Sequence, residues 1–214
     1  MHQEPKKTMN PEESKEYTEK VREWWNDHPF TLGLSDNESD KTNDLTGRVE
    51  NLSIDFFNEV DRKMRKFYGT ASQAEGEPLV SALIPYQELN GRKVLDIAVG
   101  TGWTATTLAQ AGAQVTGIDL TEQAIRMTSS HAELKNLSLE LKQMDAQNLE
   151  MRDSTYDYVL AWGCLMHMPN TPKAIAEIFR VLKPGGRTLA YMYNKNSWTY
   201  WFNFIFLRGI LQGK

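Results

Sequence analysis

The chain has 214 residues, 40% of them apolar and 24% charged, which suits one α/β domain with an accessory segment. Its net charge of −4 excludes the overall basic footprint of a nucleic-acid binder, and the run Arg62-Lys63-Met64-Arg65-Lys66 reads as a solvated helix face. Cys164 is the only cysteine, which excludes an internal disulfide and suits a cytoplasmic, reducing setting; the polar N-terminus reads as no signal peptide and no apolar run reaches the length of a membrane span.

Residues 1–9 are polar and are expected to be disordered. Asn10, Pro11 and Glu13 together predict a capped helix start, with Tyr17, Val21, Trp24 and His28 then falling on one face. Residues 31–49 are rich in turn formers and read as a loop. A second amphipathic helix carries Phe56, Val60, Met64 and Phe67 as its stripe. Residues Pro78 to Leu89 read as a third helix, broken or ended by Pro85. Residues 1–88 are therefore expected to form an N-terminal helical cap and substrate region. Within it Trp24, Trp25, Phe56, Phe57, Phe67 and Tyr68 are either core or the walls of a substrate pocket.

From residue 92 the pattern changes to short apolar runs separated by helical stretches. The runs KVLDIA, QVTGID, LSLELKQM, YDYVLAW and RTLAYMY predict five strands in a domain spanning residues 89–197. Strands that alternate with helices imply βαβ units, a parallel sheet and right-handed crossovers. Gly112 and Gly185-Gly186 stand where helices must stop. The aromatic-rich segment within 198–214, WTYWFNFIFLRGIL, is too short to span a bilayer. It reads as a lid helix, a membrane-surface helix making peripheral contact, or packing for further strands.

The chemistry concentrates where the first strand, Val94-Leu95-Asp96-Ile97, runs into Ala98-Val99-Gly100-Thr101-Gly102 and then a helix. Glycine permits positive φ and lets a ligand press against backbone, and the helix start offers unsatisfied N–H groups. Gly100-x-Gly102-x-x-Ala105 satisfies the dinucleotide fingerprint, so an NAD(P)-dependent oxidoreductase is a natural rival reading. Asp96 argues against it, because a carboxylate just before the turn repels a pyrophosphate. It suits a ligand bearing an ammonium and a sulfonium, and S-adenosylmethionine (SAM) is such a ligand. Asp119 closes the second strand about 20 positions on, where an acid holds a ribose diol, while Thr121 offers the cap of the next helix.

Asp96-x-Ala98-x-Gly100-x-Gly102 resembles the first motif of the class I SAM-dependent methyltransferases, with Ala98 in place of the usual first glycine, and methyltransferases of ubiquinone and menaquinone biosynthesis look similar there. The segment Cys164 to Asn170 is similar to the family's stretch after the fourth strand, and EIFRVLKPGG to the stretch before the fifth. The resemblance implies a Rossmann-like sheet of order 3-2-1-4-5 with helices on both faces and the cofactor outside the carboxyl ends of strands one and four. It implies that Asp96, Ala98, Gly100 and Gly102 hold the cofactor together with Asp119. Leu120 would pack on the adenine face, Asp145 would take the adenine amino group, and the Ala146 amide would reach the ring. Trp162, at the end of the fourth strand, joins this set.

Two more strands usually follow the fifth in that family, so the chain is expected to be a C-terminally truncated fragment or a shortened variant. His167, in the loop after strand four, is the candidate general base, weighed against a packing or orienting role. No metal-ligand spacing is present, so no zinc site is expected. The expected activity is methyl transfer from SAM to a small-molecule or lipid-like acceptor. A SAM-binding protein without turnover is the alternative from another class. Nothing in the sequence marks an oligomeric state.

Overall fold

The computed structural model describes residues 9–28, 52–68, 78 and 80–192. The readings made for residues 1–8, for the 31–49 loop, for the Phe67 side chain and for 198–211 fall outside what is described.

Five parallel strands form one sheet: β1 (Lys93–Ile97), β2 (Gln114–Asp119), β3 (Glu140–Gln143), β4 (Tyr156–Trp162) and β5 (Leu182–Tyr191). Their order is β3-β2-β1-β4-β5, as the resemblance implied. The chain builds outward from β1 to β3, then returns to the other side of β1 to lay down β4 and β5. That reversal leaves a crevice beyond the carboxyl ends of β1 and β4.

The central strands are apolar along their whole length because both faces are covered. Val94, Val115, Tyr158 and Leu160 join one core with Leu108 of α3 (Trp103–Gln110) and Met127 of α4 (Glu122–Leu134). Leu95, Ile97, Ile118, Val159 and Ala161 join another with Ala174, Ile178 and Val181 of α5 (Thr171–Val181). Val60 and Met64 of α2 (Ile54–Tyr68) enter the first core, and Phe57 is fully buried beside them. The charged run on α2 is not uniformly solvated. Lys63 is only 7% exposed and its ammonium lies 3.8 Å from Glu59, so its stem serves packing.

Local capping follows the sequence closely. In α1 (Pro11–Asp27) the Glu13 amide donates to Asn10 Oδ1 at 2.8 Å, and the Asn10 amide donates to Glu13 Oε2 at 2.9 Å, a reciprocal box. Thr121 caps α4 by accepting from the Ala124 amide, and Asn170 caps α5 by accepting from the Lys173 amide.

Two expectations are corrected. The inward face of α1 is not the one containing Tyr17 and Trp24, which are 42% and 51% exposed. Of the predicted face Val21 does face the crevice, with Thr18 and Trp25 beside it. The apolar periodicity misled because a hydroxyl side chain, Thr18, occupies one position of the true stripe. The described residues between Pro78 and Leu89 form no α-helix. A turn over Val80–Ile84 is followed by a 3₁₀ turn, Tyr86–Leu89, because Pro85 lacks the amide that would continue a helix. Among the described residues no helix is long and apolar enough to cross a membrane.

Candidate functional site

The loop from β1 to α3 is folded by three left-handed residues, Ala98 (φ 62°), Gly100 (φ 55°) and Gly102 (φ 81°). The amides of Ala98 and Val99 both donate to the Ile118 carbonyl, at 2.8 and 3.1 Å, which ties the loop to β2. Gly102 ends the turn as the N-cap of α3, and a Cβ there would lie 3.0 Å from Thr128 Cα. Its missing side chain lets α3 and α4 approach. Ala98 has no such relief and holds a conformation that costs an L-residue roughly 1–2 kcal/mol.

Asp119 stands at the edge of this loop. Its Oδ2 accepts from the Gly100 amide at 3.1 Å, and its Oδ1 accepts from the Thr121 amide and hydroxyl, both at 2.9 Å. These bonds orient the carboxylate, while burial pushes its pKa up. Leu120 follows on the cleft wall, its carbonyl accepting from Gln143 Nε2 at 3.0 Å. Asp145 and Ala146 continue that wall beyond β3. Asp145 is aimed by Gln147, whose amide donates to Oδ1 at 2.8 Å and whose Nε2 lies 3.2 Å from both carboxylate oxygens.

Asp96 lies elsewhere than its sequence reading implied. Its carboxylate is 1% exposed and does not line the cleft; it points with Val94 toward α3, where Thr104 Oγ1 donates to it at 2.5 Å. Its other oxygen is buried with no hydrogen-bond partner among the described residues. Burial raises its pKa to about 7, against the Thr104 bond, which lowers it, and with the nearby Asp119 adding a smaller upward push. Two of the three carboxylates thus border the cleft and the third sits one layer beneath.

The cleft's other end is aromatic. Trp162 at the end of β4 stacks on Tyr191 at the end of β5, with centroids 4.5 Å apart and planes 8° apart. Tyr68 from α2 meets both edge-on, at 5.3 and 5.9 Å, and stacks at 5.9 Å on Trp103, which opens α3. The Trp162 Nε1 is buried and has no hydrogen-bond partner among the described residues. Overhead, Thr18, Val21 and Trp25 of α1 form a roof, and Trp25 meets His167 edge-on at 5.4 Å. His167 is half-buried on a 3₁₀ turn, and burial lowers its pKa. Cys164 is buried nearby and burial pushes its thiol up to about 12, so it stays protonated and is no nucleophile near neutral pH.

Several members of this site were not singled out in the sequence. Trp103 and Tyr191 sit where a switch-point argument places ligand contacts, and reading the end of every strand for bulky side chains would have found them. Gln147 has no local signature. It reaches Thr18 of α1 at 3.4 Å and accepts from the Asn170 amide at 3.0 Å, joining three segments distant in sequence. Among the described residues, no lysine or arginine lines the cleft, and no cluster of three His, Cys, Asp or Glu could hold a metal ion.

A parallel sheet of this order, with a glycine loop after β1 and acids after β2 and β3, defines a Rossmann-like domain for an adenosine-bearing ligand. Residues 94–186 match the methyltransferase domain family. Phosphoethanolamine N-methyltransferase 2 of Caenorhabditis elegans is 38% identical over 108 residues, covering 49% of this chain and 24% of that protein. A ubiquinone biosynthesis O-methyltransferase of Pseudomonas fluorescens is 35% identical over 118 residues, covering 55% and 51%. A solved protein of Methanococcus maripaludis shares the fold, with a TM-score of 0.53 at 18% identity over 66% of this chain and 64% of that one. The chain thus spans a quarter to about half the length of these curated relatives. Over residues 94–186 the chain is similar to class I SAM-dependent methyltransferases, proteins whose cofactor is S-adenosylmethionine.

Proposed function

We propose that the chain transfers the methyl group of SAM to an oxygen of a small, flat, uncharged acceptor. The observation that carries this reading is the asymmetry of the cleft. Carboxylates and loop backbone border it over β1, β2 and β3, the rings of Trp162 and Tyr191 with Tyr68 and Trp103 border its other end, and none of its described lining residues is a lysine or arginine. A phosphorylated amine would need a cationic side chain to hold its phosphate. The buried Trp162 Nε1, which has no partner among the described residues, offers a donor that suits an acceptor oxygen and disfavours an ammonium. The O-methyltransferase among the relatives supports the same choice of atom.

The residues present fit SAM. The Asp119 carboxylate keeps free lone pairs beside its three bonds and accepts the ribose hydroxyls. Leu120 would pack on the adenine face, Asp145 would accept from the adenine amino group, and the Ala146 amide would donate to the ring, all three lying on the cleft wall. The backbone at Ala98, Gly100 and Gly102 borders the amino-acid end. A Cβ at Gly100 would meet nothing nearer than the Ala98 carbonyl at 4.0 Å, so the loop there opens onto space. Asp96 acts from beneath, its charge felt through a low-dielectric layer rather than by contact. Trp162 bounds the methyl end.

SAM, when bound, supplies an electrophilic methyl group on a positively charged sulfur. The chain's own part would be to stack the acceptor ring against Trp103 and Tyr68 or Trp162 and Tyr191, and so to hold its oxygen in place for methylation. Such positioning is worth at most about 7–11 kcal/mol. His167, whose pKa burial lowers so that the neutral ring is favoured, would take the proton from the acceptor oxygen as that oxygen is methylated. Incubation with methyl-labelled SAM tests the reading. Label should enter hydroxylated ring compounds and not phosphorylated amines, whereas binding of SAM with no transfer to any acceptor pool would reduce the site to a binding module.

A further inference from the structure

We propose that Thr128 and His131 form a two-point clamp on the cofactor loop, turning the carbonyls of Gly100 and Thr101 away from the cleft so that the amide between them faces it. The proposal rests on the assignment of that loop to SAM. The two side chains lie three positions apart on α4 and so share one face. Thr128 Oγ1 donates to the Gly100 carbonyl at 3.2 Å, and His131 Nδ1 lies 3.0 Å from the Thr101 carbonyl. A carbonyl only accepts, so Nδ1 carries the proton and donates. Both side chains are fully buried.

A trans peptide sets the consequence. When the Gly100 carbonyl is drawn toward α4, the Thr101 N–H of the same peptide points the opposite way. The Thr101 carbonyl is fixed in turn, and the Gly102 amide of that next peptide is already committed to the Val99 carbonyl at 2.8 Å. Two successive peptide planes are therefore locked by one helix. The contact at Gly102, where a Cβ would lie 3.0 Å from Thr128, leaves no slack between loop and clamp.

His131 is itself held from outside the sheet. Its ring stacks on Phe57 of α2 at 4.2 Å with planes 10° apart. Among the described residues its Nε2 has no hydrogen-bond partner; it lies 3.9 Å from the Asp61 carboxylate, which is tied to Lys135 at 2.7 Å. Burial, with the Lys135 charge, lowers the ring's pKa to about 4, so it is neutral and keeps the donor tautomer. The chain of contact runs from α2 through His131 to the loop, and His131 is a positioning residue that acts through Thr101.

Calorimetry with SAM and with its demethylated product, S-adenosylhomocysteine, tests the clamp. His131→Leu removes the donor and keeps the bulk; both ligands should bind about five- to tenfold more weakly, the scale of one neutral hydrogen bond. His131→Asn, which restores an N–H near Nδ1, should recover most of the loss, a rescue that a space-filling role would not show. Amide exchange over residues 100–104 of the ligand-free protein should speed up in His131→Leu and stay slow in His131→Asn. If His131→Leu fails to fold, Thr128→Val carries the same two readouts. Unchanged SAM affinity in the folded variant overturns the clamp, whatever the exchange shows. A wild-type protein that binds no SAM overturns the cofactor assignment instead, and loop exchange then decides the clamp alone.

Discussion

Ala98 occupies a conformation that suits glycine, with φ of 62°, and keeps a methyl group there at a cost in stability. Ala98→Gly should raise the stability of the unliganded protein by up to about 1 kcal/mol, the relief of left-handed strain less the added freedom of the unfolded chain. Thermal unfolding measures this, and a lower melting temperature would contradict it. Asp119→Asn keeps the shape but loses the charge that supports two hydroxyl bonds. SAM affinity should fall roughly ten- to a hundredfold, by the worth of a charge-assisted bond, as read by calorimetry.

Asp96 supplies a pH signature. Its folded pKa, about 7, stands above the ordinary carboxylate value. The folded state therefore binds its proton more tightly than the unfolded state does. That contribution is fully present below pH ~4 and is lost as pH rises toward 7. Asp96→Asn can still accept from Thr104 and removes the buried charge. Unliganded stability should rise at pH 8, by an amount of the order of a few kcal/mol, and its slope between pH 4 and 7 should flatten. Affinity for the cationic cofactor should fall in the same variant, and a loss of stability at pH 8 would refute the account.

At the scale of elements, the helices differ in how firmly they are held. α3, α4 and α5 bury apolar faces against the sheet, whereas α1 buries no residue completely. Its start is secured by the Asn10–Glu13 box, so Asn10→Ala should cost about 1 kcal/mol and act locally. Amide exchange should quicken in α1 and stay unchanged in β1 and β4. Equal loss of protection in the sheet would mean that α1 is integral to the core.

The sheet was legible because its central strands are covered on both faces, so Val94, Leu95 and Ile97 read as one apolar run. The caps at Asn10 and Thr121 were legible because each acts on an amide three positions away. The face of α1 was not, since Thr18 does not register as apolar. Nor was the depth of Asp96. Strand alternation assigns it to the Val94 face, but only the packing of α3 puts Thr104 against it. Asp119 and Asp145 were legible by spacing and family pattern, while Gln147 and His131 act across long sequence separations that leave no local trace.

At the scale of the whole molecule, the reversal of strand order brings the ends of all five strands to one crevice and divides it by chemistry. The early strands contribute acids and a strained loop; the late ones contribute Trp162 and Tyr191. Helices α2 and α4 brace the loop from behind through Phe57 and His131, so the part of the chain before the sheet bears on the site from two sides.

The loosely seated α1 then has a kinetic meaning. Its roof side chains are only half covered, and its link at Thr18 to Gln147 is a single 3.4 Å contact. Lifting it exposes little oily surface and leaves β1 and β4 untouched. Spent ligand can depart by the peeling of one amphipathic rod, on a timescale set by fraying and not by breathing of the rigid interior.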